Sequence, residues 1–266
     1  MTREEYEKKK FEDAVKRNVG QKKLNYQGCE MEIIEYIDHQ HIKVRFNDEH
    51  EYTVIVQPIR FKSGSITNNF YPTLYGVGML GNTESSLGNN VKKPSYLCWK
   101  GMMARCYDPN GREMYKYYND CSVCDEWHIF ENFEKWYNEN YYEIPNCFRM
   151  CLDKDILVKG NKVYSPQTCA FVPYDINITF TKNKARRGDM PIGVFYNPRK
   201  KHKYQALCRF YGKQKIVGQF DTANDAFACY KQAKEKYIKE LADKYKEYIP
   251  QEIYEAMYNY EVEITD

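Results

Sequence analysis

The residues whose type and spacing point to chemistry are concentrated near the carboxyl end. Residues 181–215 carry eleven Lys and Arg: Lys182, Lys184, Arg186, Arg187, Arg199, Lys200, Lys201, Lys203, Arg209, Lys213 and Lys215. One acid, Asp189, accompanies them, which leaves +10 in 35 residues. Residues 216–266 sum to −5 and residues 1–180 to −2, so the whole-chain net charge of +3 hides this field. A cationic cluster of this size suits a polyanion. A charge run is commonly a solvated face, but these cations interleave with strand-like sequence and do not form a tail.

Sulfur offers a second constellation. Cys121-x-x-Cys124 and Cys147-x-x-x-Cys151 supply four thiols around a compact segment, a set able to hold structural zinc. The second pair shares a side only where the chain is extended, and free Cys is a common small core residue. Core packing is the preferred reading, with zinc the alternative. Gly76-x-Gly78 lacks the following helix and Lys-Ser/Thr of a phosphate loop, so nucleotide binding is rejected.

Composition narrows the class. The chain has 266 residues, room for one large domain or two to three small ones. Aromatics reach 16%, and 26 of them are Tyr, which suits a partly wet core or a contact surface. No apolar run of about 18 residues is present, so no membrane partner is expected. The charged start MTREEYEKKK carries no secretory signal, and ten Cys then read as reduced thiols in a cytoplasm.

Stepping outward, the elements that must carry these residues are readable. Residues 2–18 predict a helix opened by a Thr2–Glu5 capping box and stopped at Gly20. Residues 30–60 alternate in three short strands, predicting a small, partly open barrel. Residues 61–82 read as an extended loop and 83–93 as a linker. Helices follow at 95–107, with Trp99, Met102, Met103 and Cys106 on one face, and at 125–140, with Trp127, Phe130, Phe133, Trp136 and Tyr137. Residues 148–157 predict a strand, Lys159–Asn161 a turn and Lys162–Tyr164 the return strand, followed by a short helix from Tyr174. Three strands within 192–220 precede a long helix capped by Thr222 and Asp225, on which Ala226, Tyr230, Ala233, Tyr237, Leu241 and Tyr245 recur at i+3 or i+4.

A three-stranded sheet backed by one helix buries one face. The other is expected to carry Arg199, Lys203, Arg209, Lys213 and Lys215 with Tyr204 and Tyr211. Such a sheet fits a major groove about 12 Å wide, where Arg can pair with guanine while other cations hold phosphates. Residues 193–238, GVFYNPRKKHKYQALCRFYGKQKIVGQFDTANDAFACYKQAKEKYI, resemble an APETALA2-type DNA-binding domain over about 50 positions. The resemblance rests on Gly-Val, Tyr-x-Ala, Arg, Gly-Lys, Gly-x-Phe-Asp-Thr and the Ala/Tyr helix. It implies a double-stranded DNA partner, met by Arg186, Arg187, Arg199, Lys200, Lys201, Lys203, Tyr204, Arg209, Lys213 and Lys215.

YLCWKGMMARCY, YNDCSVCDEWHIFENFEKWY and LDKDILVKGNKVYSPQTCAFVPYDIN resemble the HNH-type (His-Me finger) endonucleases of phages and mobile elements. That resemblance implies a ββα finger holding one magnesium ion through Asp153, Asp155 and Asn177, with Asn161 in the turn and Lys154 at the scissile phosphate. A departure accompanies it. The five His are His39, His41, His50, His128 and His202, and none lies in 148–177. Lys154 stands where the general base belongs, and an ordinary Lys is protonated at neutral pH. His128, beside the core residue Trp127, is expected to face solvent.

The fold expected is α+β: an N-terminal helix and small β-barrel (1–82), a linker (83–93), a degenerate finger (94–182) and an APETALA2-like domain with C-terminal helices (183–266). The function expected is sequence-specific DNA binding with metal-dependent cleavage, as in a homing endonuclease, in the cytoplasm of a bacterial host of a phage. The alternative is an inactive DNA-binding regulator or counter-defence factor, with a host defence protein as a further partner. A third reading is a protein-binding module whose basic face meets an acidic partner.

Overall fold

A computed structural model describes residues 1–111, 118–181 and 189–266. Helices and small sheets mix along the chain, and among the described residues no sheet closes into a barrel. The chain divides into two compact units, residues 1–119 with 123–135, and residues 120–122 with 136–266.

The first unit begins with α1 (Arg3–Asn18), opened as expected by the reciprocal Thr2–Glu5 box. The strands β1 (Lys22–Leu24), β2 (Glu30–Tyr36), β3 (Ile42–Phe46) and β4 (Thr53–Val56) then form an open antiparallel meander in chain order. The expected barrel is absent because β1 and β4 remain edges, and four strands of three to seven residues are too few and too short to close. One face is covered by Phe61 and Ile66, packed on Met31, Ile33, Ile42, Val44, Phe46 and Val56. Phe61 belongs to α2 (Pro58–Ser63), a helix within the stretch read as strand and loop. Its signals were present: Pro58 at the first position and Gly64, left-handed at φ 72°, at the end.

The aromatic helices form a second cluster. α3 (Pro94–Tyr107) buries Trp99, Met102 and Met103. The strand β5 (Ser122–Val123) and a single 3-10 turn (Asp125–His128) lead to α4 (Phe130–Asn140). The helix expected from 125 starts only at Phe130 because Met79 engages this backbone. Met79 N–H donates to the His128 carbonyl (2.8 Å), and Phe130 N–H donates to the Met79 carbonyl (2.9 Å). Residues 83–95 are tied to α4: Thr83 Oγ1 (2.7 Å), Lys93 Nζ (3.0 Å) and Ser95 Oγ (2.9 Å) all donate to Glu134.

In the second unit β6 (Met150–Asp153) pairs with β8 (Ala170–Pro173), with Met150 opposite Pro173 and Asp153 opposite Ala170. The expected return strand, β7 (Val163–Tyr164), lies outside this pair. β6 ends at Asp153, four residues early, because Asp153 Oδ1 accepts from the N–H groups of Asp155 (2.9 Å) and Ile156 (2.7 Å) and turns the chain. Ile156 thereby enters the core. α5 (Tyr174–Phe180) follows β8 directly.

β9 (Val194–Tyr196), β10 (Tyr204–Phe210) and β11 (Lys213–Phe220) form the antiparallel sheet expected from 192–220, with β10 central. α6 (Ala223–Tyr245) serves two cores. Its first turns give Ala226 and Tyr230 to this sheet, beside Val194, Ala206 and Cys208. Its later turns give Tyr237, Ile238, Leu241, Ala242 and Tyr245 to Ile144, Ile156, Val172 and Ile176, joined by Ile253 and Met257 of α7 (Gln251–Tyr258). Gly193 permits the first contact: at φ 74°, a Cβ there would run into the Tyr230 ring.

Candidate nucleic-acid interface

Opposed residues of an antiparallel pair share a face, so register sorts the side chains of the β9–β11 sheet. Tyr204, Ala206, Cys208 and Phe210 all belong to the core against α6. Opposite them on β11 stand Phe220, Gly218, Lys215 and Lys213. The alternate set is Gln205, Leu207 and Arg209 on β10, paired with Gln219, Ile216 and Gln214 on β11, and Phe195 on β9 beside Gln205. A bulge at this pairing, between Ala206 and Leu207, keeps the two sets in step.

This corrects the expectation of one face carrying all the cations with Tyr204. Tyr204 packs in the helix-side core, its ring 5.2 Å from that of Tyr196. Lys213 and Lys215 lie on the helix-side register of an edge strand and reach solvent from its rim. Arg209 alone of the expected strand cations is off the helix-side register, and at the end of β10 it lines a cavity with Lys234 of α6. The open face, away from α6, is mainly amide and apolar, with Gln214, Gln219, Ile216 and Phe195 exposed. Sequence reading missed the glutamines because it followed charge, and Gln214 and Gln219, five positions apart, come to one face only through the bulge.

The cations instead gather at the two ends of β10. Arg199, Lys200 and Lys201 occupy the β9–β10 connection, closed by Asn197, whose side-chain oxygen accepts from Arg199 N–H (3.1 Å) while its N–H donates to the Lys203 carbonyl (2.7 Å). At the other end Tyr211 and Gly212 make a two-residue turn with φ of 49° and 78°. Tyr211 holds that left-handed conformation against strain through its N–H, which donates to Tyr237 Oη (2.8 Å), and through ring contact with Tyr237 at 5.2 Å. Lys213 and Lys215 leave from this end. Six residues separate Tyr204 from Phe210, roughly 20 Å along a strand. Arg199, Lys200, Lys201, Lys203, Arg209, Lys213 and Lys215 are all exposed, and none makes an ion pair among the described residues. Residues 199–220 contain no Asp or Glu. Arg186 and Arg187 lie outside the described residues.

The hairpin group is built differently. Asp153 is buried, and its Oδ1 is occupied by two backbone donors. Burial, then repulsion from Asp155, pushes its carboxyl above the usual aspartate value. Lys154 is also buried and donates to Asp155 Oδ2 (2.9 Å) and to the Asn161 carbonyl (2.9 Å). Burial alone would lower its amine, but the Asp155 hydrogen bond and charge outweigh that and hold it above the ordinary lysine value. It therefore stays protonated and supplies no base. Asn161 returns the contact, donating from Nδ2 to the carbonyls of Lys154 and Val163 (2.7 Å). Asn177 sits in α5 and, among the described residues, its side chain makes no hydrogen bond to Asp153 or Asp155. α5 departs from the end of the hairpin that holds Met150, not from the Asp153 end.

His128 is not solvent-facing as expected. Its ring meets Tyr107 edge-on, with Nε2 3.3 Å from the Tyr107 hydroxyl, because the 3-10 turn folds it against α3. Among the described residues no group of three or more His, Cys, Asp or Glu side chains is placed to hold a metal ion. Among the described residues Cys121, Cys124, Cys147 and Cys151 form no such group, and no disulfide joins any of the ten Cys. Burial raises the thiols of Cys121, Cys124 and Cys151. No helix among the described residues is long and apolar enough to cross a membrane.

Set against known protein families, curated proteins and solved structures, the chain matches none of them.

Proposed function

We propose that this protein binds double-stranded DNA through the β9–β11 sheet. The observation that carries the reading is the pair of cationic ends on β10, about 20 Å apart, whose Lys and Arg make no ion pair among the described residues and flank a face of amide and apolar side chains. That face suits a major groove about 12 Å wide, and the ends suit the phosphate rails on either side. Arg199, Lys200, Lys201 and Lys203 take one rail, and Lys213 and Lys215 the other. Gln214 and Gln219 meet base edges, as Gln does with adenine. The test is fluorescence anisotropy with a randomised duplex, followed by selection for preferred sequences. The expected result is salt-sensitive binding with a recoverable consensus. Binding to acidic proteins but not to duplex would replace this reading with that of a protein-binding module, a host defence factor among its partners.

Metal-dependent cleavage is the second reading, favoured by Asp153 and Asp155 standing together on one hairpin. In that scheme Asp153, Asp155 and Asn177 hold magnesium and Lys154 contacts the phosphate. The hydrogen bonds of Asp153 and Lys154 favour a hairpin held together by its charges, in a DNA-binding protein of phage or mobile-element type that does not cut. Plasmid nicking with magnesium separates the two: cutting abolished by both Asp153→Asn and Asn177→Ala establishes the enzyme.

A further inference from the structure

α5, the β10–β11 turn and α6 enclose a small cavity lined by Asp175, Thr179, Arg209, Tyr211, Lys234 and Tyr237. Lys234 is a helix residue whose Nζ donates to the Thr179 carbonyl (2.6 Å). This is its one hydrogen bond among the described residues, and two of its three N–H groups remain. No carboxylate there comes within ion-pair distance of Lys234 or of Arg209, and the Arg209 guanidinium makes no hydrogen bond among the described residues. The other polar groups are committed. Asp175 Oδ2 accepts from Lys244 Nζ (3.3 Å) and Tyr245 Oη (3.0 Å). Thr179 Oγ1 donates to the Asp175 carbonyl (2.7 Å), and Tyr237 Oη accepts from Tyr211 N–H.

Two cations therefore line one cavity without a counter-ion among the described residues. Lys234 is partly buried and Arg209 exposed, so the neutral Thr179 carbonyl leaves part of the lysine's lost hydration uncompensated. Burial pulls the Lys234 amine below its ordinary value; Cys208 opposes the shift and the Arg209 charge adds to it. Capping the end of α5 accounts for one N–H of Lys234 but for neither the second cation nor the open space.

We infer that this cavity is an oxyanion site that takes one phosphate group, with Lys234 as the inner ligand and Arg209 as the outer, forked one. A tetrahedral oxyanion supplies acceptors to both and cancels their repulsion. The phosphate comes either from a nucleic-acid backbone or from free phosphate. The inference does not rest on duplex binding.

The test titrates the full chain with inorganic phosphate by calorimetry at low ionic strength, and measures duplex affinity against salt. Saturable one-site phosphate binding is expected, weakened about tenfold or more by Lys234→Met and by Arg209→Gln. Arg209 is exposed, so its variant keeps the test valid if Lys234→Met fails to fold; thermal unfolding checks both. If the source is the backbone, Lys234→Met also lowers the log–log salt slope by about one. If it is free phosphate, the slope is unchanged while phosphate binding is lost. Phosphate binding that is absent, or indifferent to both variants, together with an unchanged slope overturns the inference. Phosphate binding by a protein that ignores duplex removes the DNA reading and leaves this one standing.

Discussion

The protein contains two antiparallel meanders of similar size that handle charge in opposite ways. In β1–β4 cations sit across from acids. Lys22 lies opposite Glu32 and Arg45 opposite the same Glu32, with Lys22 Nζ 3.5 Å from Glu30 and Arg45 Nη2 3.5 Å from Glu32. In β9–β11 seven cations fall within 22 residues that contain no acid. Exposed pairs such as those of Lys22 and Arg45 contribute about 0–1 kcal/mol each, so neither sheet depends on charge to fold. The first sheet pairs its charges internally; the second leaves its exposed Lys and Arg without an ion pair among the described residues. The difference teaches that the cations of β9–β11 are not a by-product of building a small sheet.

The strongest way to break that comparison is charge reversal. Arg199→Glu combined with Lys203→Glu is expected to lower duplex affinity about 100-fold at low salt and to reduce the salt slope by about two. Lys22→Glu with Lys43→Glu, the matching change in the first sheet, is expected to alter affinity less than about twofold, because a sheet that pairs its charges internally contributes little field. Anisotropy titrations over a salt series check both. Equal losses from the two sheets would end the case for a localised interface.

Next in size is the hairpin. Asp153→Ala leaves the N–H groups of Asp155 and Ile156 without their acceptor beside the Lys154–Asp155 ion pair. A stability loss of about 2 kcal/mol is expected in chemical denaturation. Asp153→Asn retains the accepting oxygen and is expected to be at least as stable as the parent at neutral pH. Equal destabilisation by both would show that the negative charge, not the turn, is what the hairpin requires, and would sharpen the metal reading.

Local codes explain most of what the sequence revealed. The Thr2 and Thr222 caps, the apolar spacing of α6 and the three strands of the last sheet each depend on residues a few positions apart, and each stands as expected. The pairing of β6 with β8 was hidden because it depends on Asp153 stopping the strand early, a side-chain-to-backbone bond that residue pattern does not announce. The barrel failed for a similar reason: closure is a property of edges, and nothing in 30–60 states whether β1 meets β4. At the interface the cations were legible as composition. Their division between two strand ends was not, since face assignment requires the register and its bulge at Leu207.

The glutamines on the open face give a smaller and more specific effect. Gln214→Ala and Gln219→Ala remove donors and acceptors that pair with base edges but contribute no charge. Each is expected to cost about 1 kcal/mol against the preferred sequence and almost nothing against random duplex, with the salt slope unchanged. Selection from a randomised pool before and after substitution measures this. A uniform loss across all sequences would move these residues from base recognition to backbone contact.

The smallest expected effect is a pH slope, and it separates the hairpin from the sheet by sign. The Asp153 carboxyl is raised in the folded protein, first by burial and then by Asp155. Between the ordinary aspartate value of 3.8 and that raised value, the folded chain retains a proton the unfolded chain has released. Unfolding free energy therefore falls as pH rises through this window and then levels off. Asp153→Asn has no such proton and should lose this part of the slope, so that the two stability curves converge as pH falls below 3.8 and separate above it, the variant gaining. Charge removal from the sheet by Lys213→Gln should leave the slope in this window untouched, since it alters no carboxyl group. Denaturant midpoints across the window decide it: a slope that survives Asp153→Asn would place the buried proton elsewhere in the unit and remove the electrostatic half of the contrast between hairpin and sheet.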